Sequence, residues 1–365
     1  MPAPCVRAFA VLAASWLALT GWMGGAGAAT GSQPPAHQFP VGTSLVTYDA
    51  ARGRTYFATP YVVQEQRTGS RLQLDRYLPP LGDEEELKRF GLRPEARETP
   101  AHMEVSADGR SLLLRFSDRS LVVNADNLSV MRRLNTPTVW WEGSGLGYLR
   151  PGTQYNMMLV TGGRKRVLNM GGREVYTADS RGRYFLVGRA MSPRTEANGY
   201  TPLMKMQLWE RTKHASLVLS RVLTEQRYDE GSDGMPQHVE ALSGRAVVFG
   251  IPWGGGSYDY VCAVNAHGMM ATPLKDGKGD DLVFEGSPLI ADRAIVGLAK
   301  SFGDYLLPGS SPKPLYLYRV TEKSLVVTAV ASDVTSITYH PSRGIGFGVA
   351  DKDGVSVRWG SPPGP

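Results

Sequence analysis

Apolar and polar residues alternate along most of this chain, and short polar turns containing glycine interrupt the alternation at intervals. The pattern is clearest from Val105 to Leu114 and from Tyr339 to Gly348, where an alternating run enters a tight turn and a second run leaves it. Weaker copies of the pattern begin near five further positions: Tyr48, Trp141, Ala178, Ala241 and Ile290. Alternation with a period of two residues is typical of half-buried β-strands. The sequence therefore predicts an all-β protein built from repeated units.

The spacing of these seven copies indicates an architecture. They lie roughly 35 to 65 residues apart, close to or above the length of a four-stranded propeller blade. We therefore expect a seven-bladed β-propeller of four-stranded antiparallel blades, with strands a to d running from the centre outward. In the second unit the strands are expected at 102–106, 111–116, 120–125 and 129–134. The last unit, 334–359, holds only three strands, so a strand from residues 38–41 is expected to close the ring.

The N-terminal residues indicate the cellular compartment. An uncharged run at 8–23 follows Arg7, and the small residues 26–28 have the spacing that a signal peptidase reads. The alternative, an uncleaved anchor, needs about 20 apolar residues, and this run is shorter. We expect a signal peptide at 1–28, an N-terminal segment at 29–43, one propeller domain at 44–360 and a Pro-rich tail at 361–365. The protein is then secreted or periplasmic, with no membrane span after cleavage.

Composition and cysteine content narrow the possible chemistry. Removal of the signal would take Cys5 and leave Cys262, so neither an internal disulfide nor a cysteine zinc site is expected. The net charge of +6 is spread over turns, without a basic stripe that carries stacking aromatics, so no nucleic-acid partner is expected. No complete nucleotide, phosphate or calcium motif is present. We therefore predict no cofactor and no metal.

The last unit carries a resemblance to a known family. The run from Val334 to Trp359, with its His340-Pro341 turn and its Asp353-Gly354 turn, resembles a WD-repeat propeller blade. It lacks the Gly-His pair before strand a and has Trp359-Gly360 where the family has Trp-Asp. The resemblance is thus to a divergent, bacterial-type secreted member. It implies a rigid disc whose loops bind proteins, peptides or small ligands, and it implies no reaction.

The expected connections between strands are unequal in length. Turns a–b and c–d are expected to be tight, as at 267–268, whereas b–c and d–a connections are expected to be long. Because strands alternate in direction, the long connections should emerge on one face, which makes that face the first choice for a binding site. The alternative is that exposed loops vary in length without a function. The connections expected to be long are 64–70, 81–100, 192–202, 225–236, 253–258, 275–284 and 303–314.

Aromatic and polar residues lie in three of these long connections. Aromatic platforms with a few polar neighbours suit a sugar ring or a peptide anchor, so we predict a site for a protein, peptide or glycan ligand. The alternative is that the rings fill gaps within their own loops. The predicted ligand-binding residues are Arg194, Glu196, Tyr200, Trp253, Tyr258, Asp304 and Tyr305.

A second candidate site is a motif that occurs twice, Pro-x-His-x-Glu, with His102 and Glu104 in one copy and His238 and Glu240 in the other. Residues i and i+2 share one side of a strand, so two pairs at the channel mouth would suit a lyase or hydrolase. The alternative, which we favour, is that both pairs are structural and find partners in neighbouring blades. The expected function is therefore a secreted binding or scaffold protein, with the enzyme as the alternative.

Overall fold

The computed structural model describes most of the chain beyond residue 37. The described residues are 38–49, 52–89, 91–106, 108–136, 138–142, 145–150, 156–161, 164–168, 174–190, 203–212, 217–227, 236, 238–253, 258–265, 272–303 and 314–364.

Within each sheet, consecutive strands pair antiparallel with their sequence neighbours, and the described strands form six sheets in sequence order. Sheet 1 contains β1 (Leu45–Asp49), β2 (Arg54–Ala58), β3 (Val62–Glu65) and β4 (Arg71–Gln73). Sheet 2 contains β5 (His102–Val105), β6 (Ser111–Arg115), β7 (Ser120–Asn124) and β8 (Val130–Leu134). Sheet 3 contains β9 (Thr138–Glu142), β10 (Gly145–Arg150), β11 (Asn156–Thr161) and β12 (Arg164–Leu168). Sheet 4 contains β13 (Glu174–Ala178), β14 (Tyr184–Ala190), β15 (Leu203–Arg211) and β16 (Leu217–Arg227).

Sheet 5 has eight strands and consists of two four-stranded halves. The first half contains β17 (Val239–Ser243), β18 (Ala246–Trp253), β19 (Tyr258–Val264) and β20 (Thr272–Pro273). The second half contains β21 (Leu282–Ala291), β22 (Ala294–Ser301), β23 (Leu315–Val320) and β24 (Leu325–Val330). A single residue pair, Tyr260 with Val283, joins the halves. Sheet 6 has three strands, β25 (Val334–His340), β26 (Gly344–Ala350) and β27 (Val355–Trp359).

The strands of sheet 2 agree with their predicted positions to within one residue at each end, and sheet 6 has the three expected strands. Two expected connections differ from the prediction among the described residues. Residues 66–70 join β3 to β4 and are therefore a c–d turn. The tight c–d turn expected at 267–268 lies outside the described residues. Strand β21 begins at Leu282, inside the expected 275–284 connection, and a bulge at Gly286 (φ +82°) lets it continue past the predicted start.

The predicted N-terminal closing strand is reduced to one bridge. Phe39 exchanges two backbone hydrogen bonds with Val355 of β27, with N···O distances of 3.1 and 3.0 Å. The chain then turns at residues 41–42, where Gly42 has a φ of +81° and the Thr43 N–H returns to the Pro40 carbonyl. A glycine accepts this left-handed conformation without steric strain. The turn carries Val41 away from β27 and ends the pairing after one residue.

The buried apolar residues form clusters between consecutive sheets. One cluster joins Tyr56 and Leu72 of sheet 1 to Leu112 and Leu114 of sheet 2. Equivalent clusters lie between sheet 4 and the first half of sheet 5, between the two halves of sheet 5, and between its second half and sheet 6. Sheets 1 and 6 are also in contact, because β25 packs against β1 and the Thr338 hydroxyl donates to the Val46 carbonyl at 3.1 Å. Each sheet of these pairs is therefore stabilised mainly by its neighbours, as in repeat proteins.

Two faces of the array are defined by the connections. We call the face with the connections after the second and fourth strands of each unit the long-connection face, and the opposite one the short-turn face. On the long-connection face, the β4–β5 connection lies over the β2–β3 turn, with the Arg97 N–H donating to the Pro60 carbonyl at 2.7 Å. On the short-turn face, the Arg52 guanidinium reaches the β5–β6 turn and donates to the Gly109 carbonyl at 2.7 Å.

Two short helices lie in the β4–β5 segment. They are a 3₁₀ turn (Leu74–Arg76) and α1 (Glu84–Arg89). The Asp83 carboxylate accepts a 2.8 Å hydrogen bond from the Glu86 N–H, which caps the first turn of α1, and Leu87 is buried beneath it. In the part of the chain that the structure describes, no helix has the length and apolar character needed to cross a membrane.

Candidate functional site

Both copies of the Pro-x-His-x-Glu motif lie on the first strand of a unit. His102 and Glu104 belong to β5, whereas His238 precedes β17 and Glu240 lies within it. Their surroundings include one arginine and one aspartate that the sequence analysis did not single out. We call these six side chains the inner polar cluster: His102, Glu104, Arg115, Asp179, His238 and Glu240.

The first pair is close but not hydrogen-bonded. The His102 Nε2 atom lies 3.6 Å from the Glu104 Oε2 atom, and both side chains are half-buried. The His102 Nε2 atom is itself buried, and no hydrogen-bond partner for it occurs among the described residues. A buried ring nitrogen is normally satisfied by protein or by ordered water. The nearest charged group to this nitrogen is thus the Glu104 carboxylate of the same motif.

In the second copy, His238 turns toward the second half of sheet 5. Its ring lies 4.5 Å from the Phe284 ring, centroid to centroid, at an interplanar angle of 34°. Burial, with a smaller contribution from the Arg115 charge, lowers the pKa of His238 to about 4. The imidazole is therefore neutral at physiological pH and serves as a packing surface.

Glu240 turns in the other direction, toward sheet 4. Its side chain is 3% exposed, and Oε1 accepts a 2.8 Å hydrogen bond from the Ser180 N–H in the β13–β14 turn. Oε2 is buried, and the described part of the chain supplies it with no hydrogen-bond partner. Burial, followed by repulsion from Asp179, raises the pKa of Glu240 to about 8. The carboxyl group is therefore protonated at neutral pH, and its O–H can donate a hydrogen bond.

Asp179 lies in the same turn and is fully buried. Its Oδ1 atom accepts hydrogen bonds from the Arg183 and Tyr184 N–H groups at 2.7 and 2.8 Å. Its Oδ2 atom forms an ion pair with Arg181, whose Nε atom lies 3.5 Å away. Burial raises the pKa of Asp179. The Arg181 guanidinium also donates to the Ala241 carbonyl of β17, which holds the turn against sheet 5.

Arg115 connects the two motif copies electrostatically. It ends β6 and pairs with His102 across the strands. Burial lowers the pKa of its guanidinium, whereas the charges of Glu240, Glu104 and Asp179 act in the opposite direction. The inner polar cluster thus brings side chains of sheets 2, 4 and 5 around one guanidinium. A signal for it was present in the sequence, where Arg115 follows three leucines in an otherwise apolar strand.

A tyrosine borders the cluster. Tyr318 of β23 is fully buried, and its hydroxyl has no hydrogen-bond partner within the described ranges. Burial, together with the Glu240 charge, raises the pKa of this hydroxyl well above the usual value. Its ring lies over Gly297 of β22, where any Cβ atom would clash with the phenol ring. Among the described residues, no three His, Cys, Asp or Glu side chains converge as a metal site would require. The carboxyl and imidazole groups of the inner polar cluster can therefore bind protons and can donate or accept hydrogen bonds.

Most of the predicted ligand-binding residues lie outside the described residues; these are Arg194, Glu196, Tyr200, Asp304 and Tyr305. Trp253 ends β18 and Tyr258 begins β19, and the two are the last paired residues of that hairpin. The backbone thus places both residues at the b–c turn of one unit, on the long-connection face.

Comparison with known proteins concerns the fold alone. No family model matches the chain, and no curated protein matches it. The chain resembles solved β-propeller domains. They include the β-propeller domain of Myceliophteria thermophila Cps50 (Swd1), at 10% identity and a TM-score of 0.44 over 84% of this chain and 94% of that one. Another is the WD40 domain of SCAP from fission yeast, at 8% identity and a TM-score of 0.30 over 87% of this chain and 80% of that one. A third is the N-terminal domain of Nup159, at 8% identity and a TM-score of 0.40 over 86% and 88%.

Proposed function

We propose that the protein is a secreted or periplasmic β-propeller scaffold that binds a protein, peptide or glycan on its long-connection face. The observation that carries this proposal is the placement of the connections. In sheets 1 and 2 the β4–β5 connection covers both b–c turns, since Arg97 contacts Pro60 and the Glu98 carboxylate accepts a 2.7 Å hydrogen bond from the Ser117 N–H. Rigid sheets that hold elaborated loops on one face are typical of binding proteins.

We also propose that the blades form a closed ring, which carries the long-connection face. The two halves of sheet 5 count as separate blades, which gives seven blades with the other five sheets. Two observations support closure: β25 packs on β1, and Phe39 bridges to Val355. A closed ring leaves no unpaired inner sheet edge and fixes the connections relative to one another.

Trp253 is the residue through which the proposal is best tested. Aromatic anchors dominate binding energy at interfaces, and removal of a hot-spot tryptophan costs about 2 kcal/mol or more, which is roughly 30-fold in affinity. Met131 of β8 is the matched control, because it is an apolar side chain 60% exposed on an outer strand. Peptides selected from a random display library and hits on a glycan array serve as the probes.

The expected result is that selected ligands bind Trp253→Ala about 30-fold more weakly and bind Met131→Ala as they bind the wild-type protein. Tyr258→Ala should also weaken ligand binding, but by a smaller factor. Ligands that lose affinity on Met131→Ala but not on Trp253→Ala would place the binding surface on the outer strands and contradict the proposal.

Export is tested by the mass of the protein after expression with its own N-terminus. Cleavage after Ala28 should leave a chain that begins at Ala29 in the periplasm or medium. Recovery of the full-length chain from the cytoplasm alone would refute export.

One observation favours the alternative function, a propeller lyase or hydrolase. The carboxyl group of Glu240, with a pKa of about 8, suits a general acid. The burial of this carboxyl group, however, weighs against an enzymatic function. Glu240 Oε2 is enclosed by protein, so a substrate would need the interface between sheets 4 and 5 to open. The scaffold is therefore the better supported function.

A further inference from the structure

The outer strands of the units differ in how well their free edges are protected. An edge strand exposes unpaired peptide groups, and proteins blunt such edges with charged residues, bulges, proline or short length. β4 has three residues, and β20 has two, one of which is a proline. β8 and β16 each contain arginine and a bulge against the neighbouring strand, and β12 begins with Arg164, Lys165 and Arg166. The edges of these five strands are therefore blunted.

β24, the outer strand of the second half of sheet 5, has none of these features. Its sequence, LVVTAV, contains no charge, proline or glycine, and its register with β23 is unbroken over six residue pairs. Leu325 is 38% exposed, Val326 is 51% exposed, and Thr328 is also exposed. No other strand among those described pairs with the outer edge of β24. An uncharged, regular and exposed edge of this kind is a template for pairing with another strand.

The hairpin that leads into β24 determines which peptide groups are free. The Thr321 N–H donates to the Ser324 carbonyl at 2.9 Å across the β23–β24 turn. Because hydrogen-bonded pairs alternate along an antiparallel ladder, the peptide groups of residues 326, 328 and 330 bond to β23. The peptide groups of residues 325, 327 and 329 are directed toward the open edge. This edge thus presents alternating N–H donors and carbonyl acceptors along the whole strand.

A second copy of β24 complements this edge. In an antiparallel pair that places Val327 opposite itself, Leu325 of one copy lies opposite Ala329 of the other, so all outward peptide groups are paired. Val326 then lies opposite Thr328 of the second copy. Both are β-branched residues, which pack well on a pleated surface. The pairing therefore covers the exposed apolar side chains and satisfies the free peptide groups together.

The charges that flank β24 favour this orientation. Lys323 lies in the turn before the strand and Asp333 follows the strand, and both are exposed. Glu322, the other charged residue of the turn, accepts a 2.7 Å hydrogen bond from the Ser243 hydroxyl. An antiparallel pair brings the lysine end of each copy to the aspartate end of the other, whereas a parallel pair would bring like charges together. The ends of the strand are thus complementary to themselves in the antiparallel arrangement.

We propose that the protein forms a two-fold symmetric dimer, in which β24 pairs antiparallel with β24 of a second copy and joins the two sheets into one. This dimer uses the outer edge of one unit and does not rest on the ligand surface of the long-connection face. A single strand pair buries less than the roughly 1,200–2,000 Å² of a standard interface. The dimer should therefore dissociate in the micromolar range and exchange with the monomer.

Sedimentation velocity of the purified protein, from about 1 to about 500 µM, measures the association. The wild-type protein should change from monomer to dimer across this range. Val326→Lys places a charge on the open edge, and in the dimer the two lysines would share one face of the joined sheet. It should weaken association by about tenfold or more. Met131→Lys is the matched control, because Met131 is an apolar side chain 60% exposed on another outer strand, and it should leave association unchanged.

Cysteine cross-linking tests the register. Val326→Cys combined with Thr328→Cys places cysteines opposite each other across the dimer, with Cα atoms about 4.5 Å apart, which a disulfide can span. Oxidation should give a covalent dimer. Met131→Cys combined with Arg133→Cys has the same spacing on β8 and should remain monomeric under the same conditions. The native Cys262 is buried.

Three results would overturn the proposal. The first is a wild-type protein that stays monomeric at about 500 µM, which would leave this edge to a strand of a different protein. The second is association of Val326→Lys, shown to be folded by circular dichroism, with wild-type affinity. The third is a covalent dimer that forms as fully from the β8 cysteine pair as from the β24 pair.

Discussion

Replacement of Glu240 by glutamine should change how the stability of the protein depends on pH. In the folded protein the pKa of this carboxyl is about 8, against an ordinary value of 4.5, because of burial and the neighbouring Asp179. The folded state therefore holds the proton more tightly than the unfolded state. Stability from this group is complete below pH 4.5 and is lost as pH rises through 8.

The magnitude follows from the difference between the two pKa values. A difference of about 3.5 units corresponds to about 5 kcal/mol, at roughly 1.4 kcal/mol per unit. The value needs little reduction for solvent screening, since Glu240 is only 3% exposed. Glutamine keeps an oxygen to accept the Ser180 N–H and cannot ionise. The variant should match the wild-type protein near pH 4.5 and exceed its stability by up to about 5 kcal/mol near pH 9.

Urea unfolding followed by tryptophan fluorescence, at intervals from pH 4.5 to 9, measures this difference. Glu85→Gln on the exposed surface of α1 is the control, because it removes a carboxyl group that is not buried. The difference between Glu240→Gln and the wild-type protein should grow with pH, whereas the control difference should stay nearly constant. Parallel pH profiles for the wild-type protein and Glu240→Gln would refute the placement of this carboxyl in a buried, repulsive environment.

Three further predictions concern particular contacts. Tyr318→Phe removes a buried hydroxyl without a partner and should stabilise the protein by about 1 kcal/mol, seen as a higher thermal midpoint; a loss of stability would indicate a partner for the hydroxyl. Phe39→Ala should cost about 3 kcal/mol in urea unfolding, because Phe39 is 3% exposed and packs against Phe57 at 5.5 Å; no change would mean that the N-terminal segment is not docked. His238 has a pKa of about 4, against an ordinary 6.5, so the stability that its neutral form supplies is present above pH 6.5 and lost as pH falls through 4. His238→Gln should not show this loss of stability in acid. A profile of stability against pH that is the same as that of the wild-type protein would contradict the prediction.

The sequence was sufficient to predict strands where alternation and turn residues agreed. In sheet 2, the Asp108-Gly109 turn separates two alternating runs, and Gly109 has the positive φ of 68° that such a turn requires. Sheet 6 was predicted for the same reason around Gly344. The start of β21 was missed, since a bulge at Gly286 allows a strand to pass through a segment that reads as a turn.

The candidate site was harder to predict, because its members come from distant parts of the chain. The repeated Pro-x-His-x-Glu motif is local and was found. Arg115 and Asp179 join it only through the packing of sheets 2, 4 and 5. The arginine that follows three leucines marks the end of β6 as unusual, but the sequence does not show which residues it will meet.

Hydrogen–deuterium exchange of the protein, with and without a ligand selected by peptide display or glycan array, tests the central claim most directly. Binding on the long-connection face predicts protection in residues 81–100 and 274–281 and at the turn between Trp253 and Tyr258. The turns of the short-turn face, at 106–110 and 180–183, should exchange at unchanged rates. Protection confined to those short turns would contradict the claim that the long connections form the binding surface.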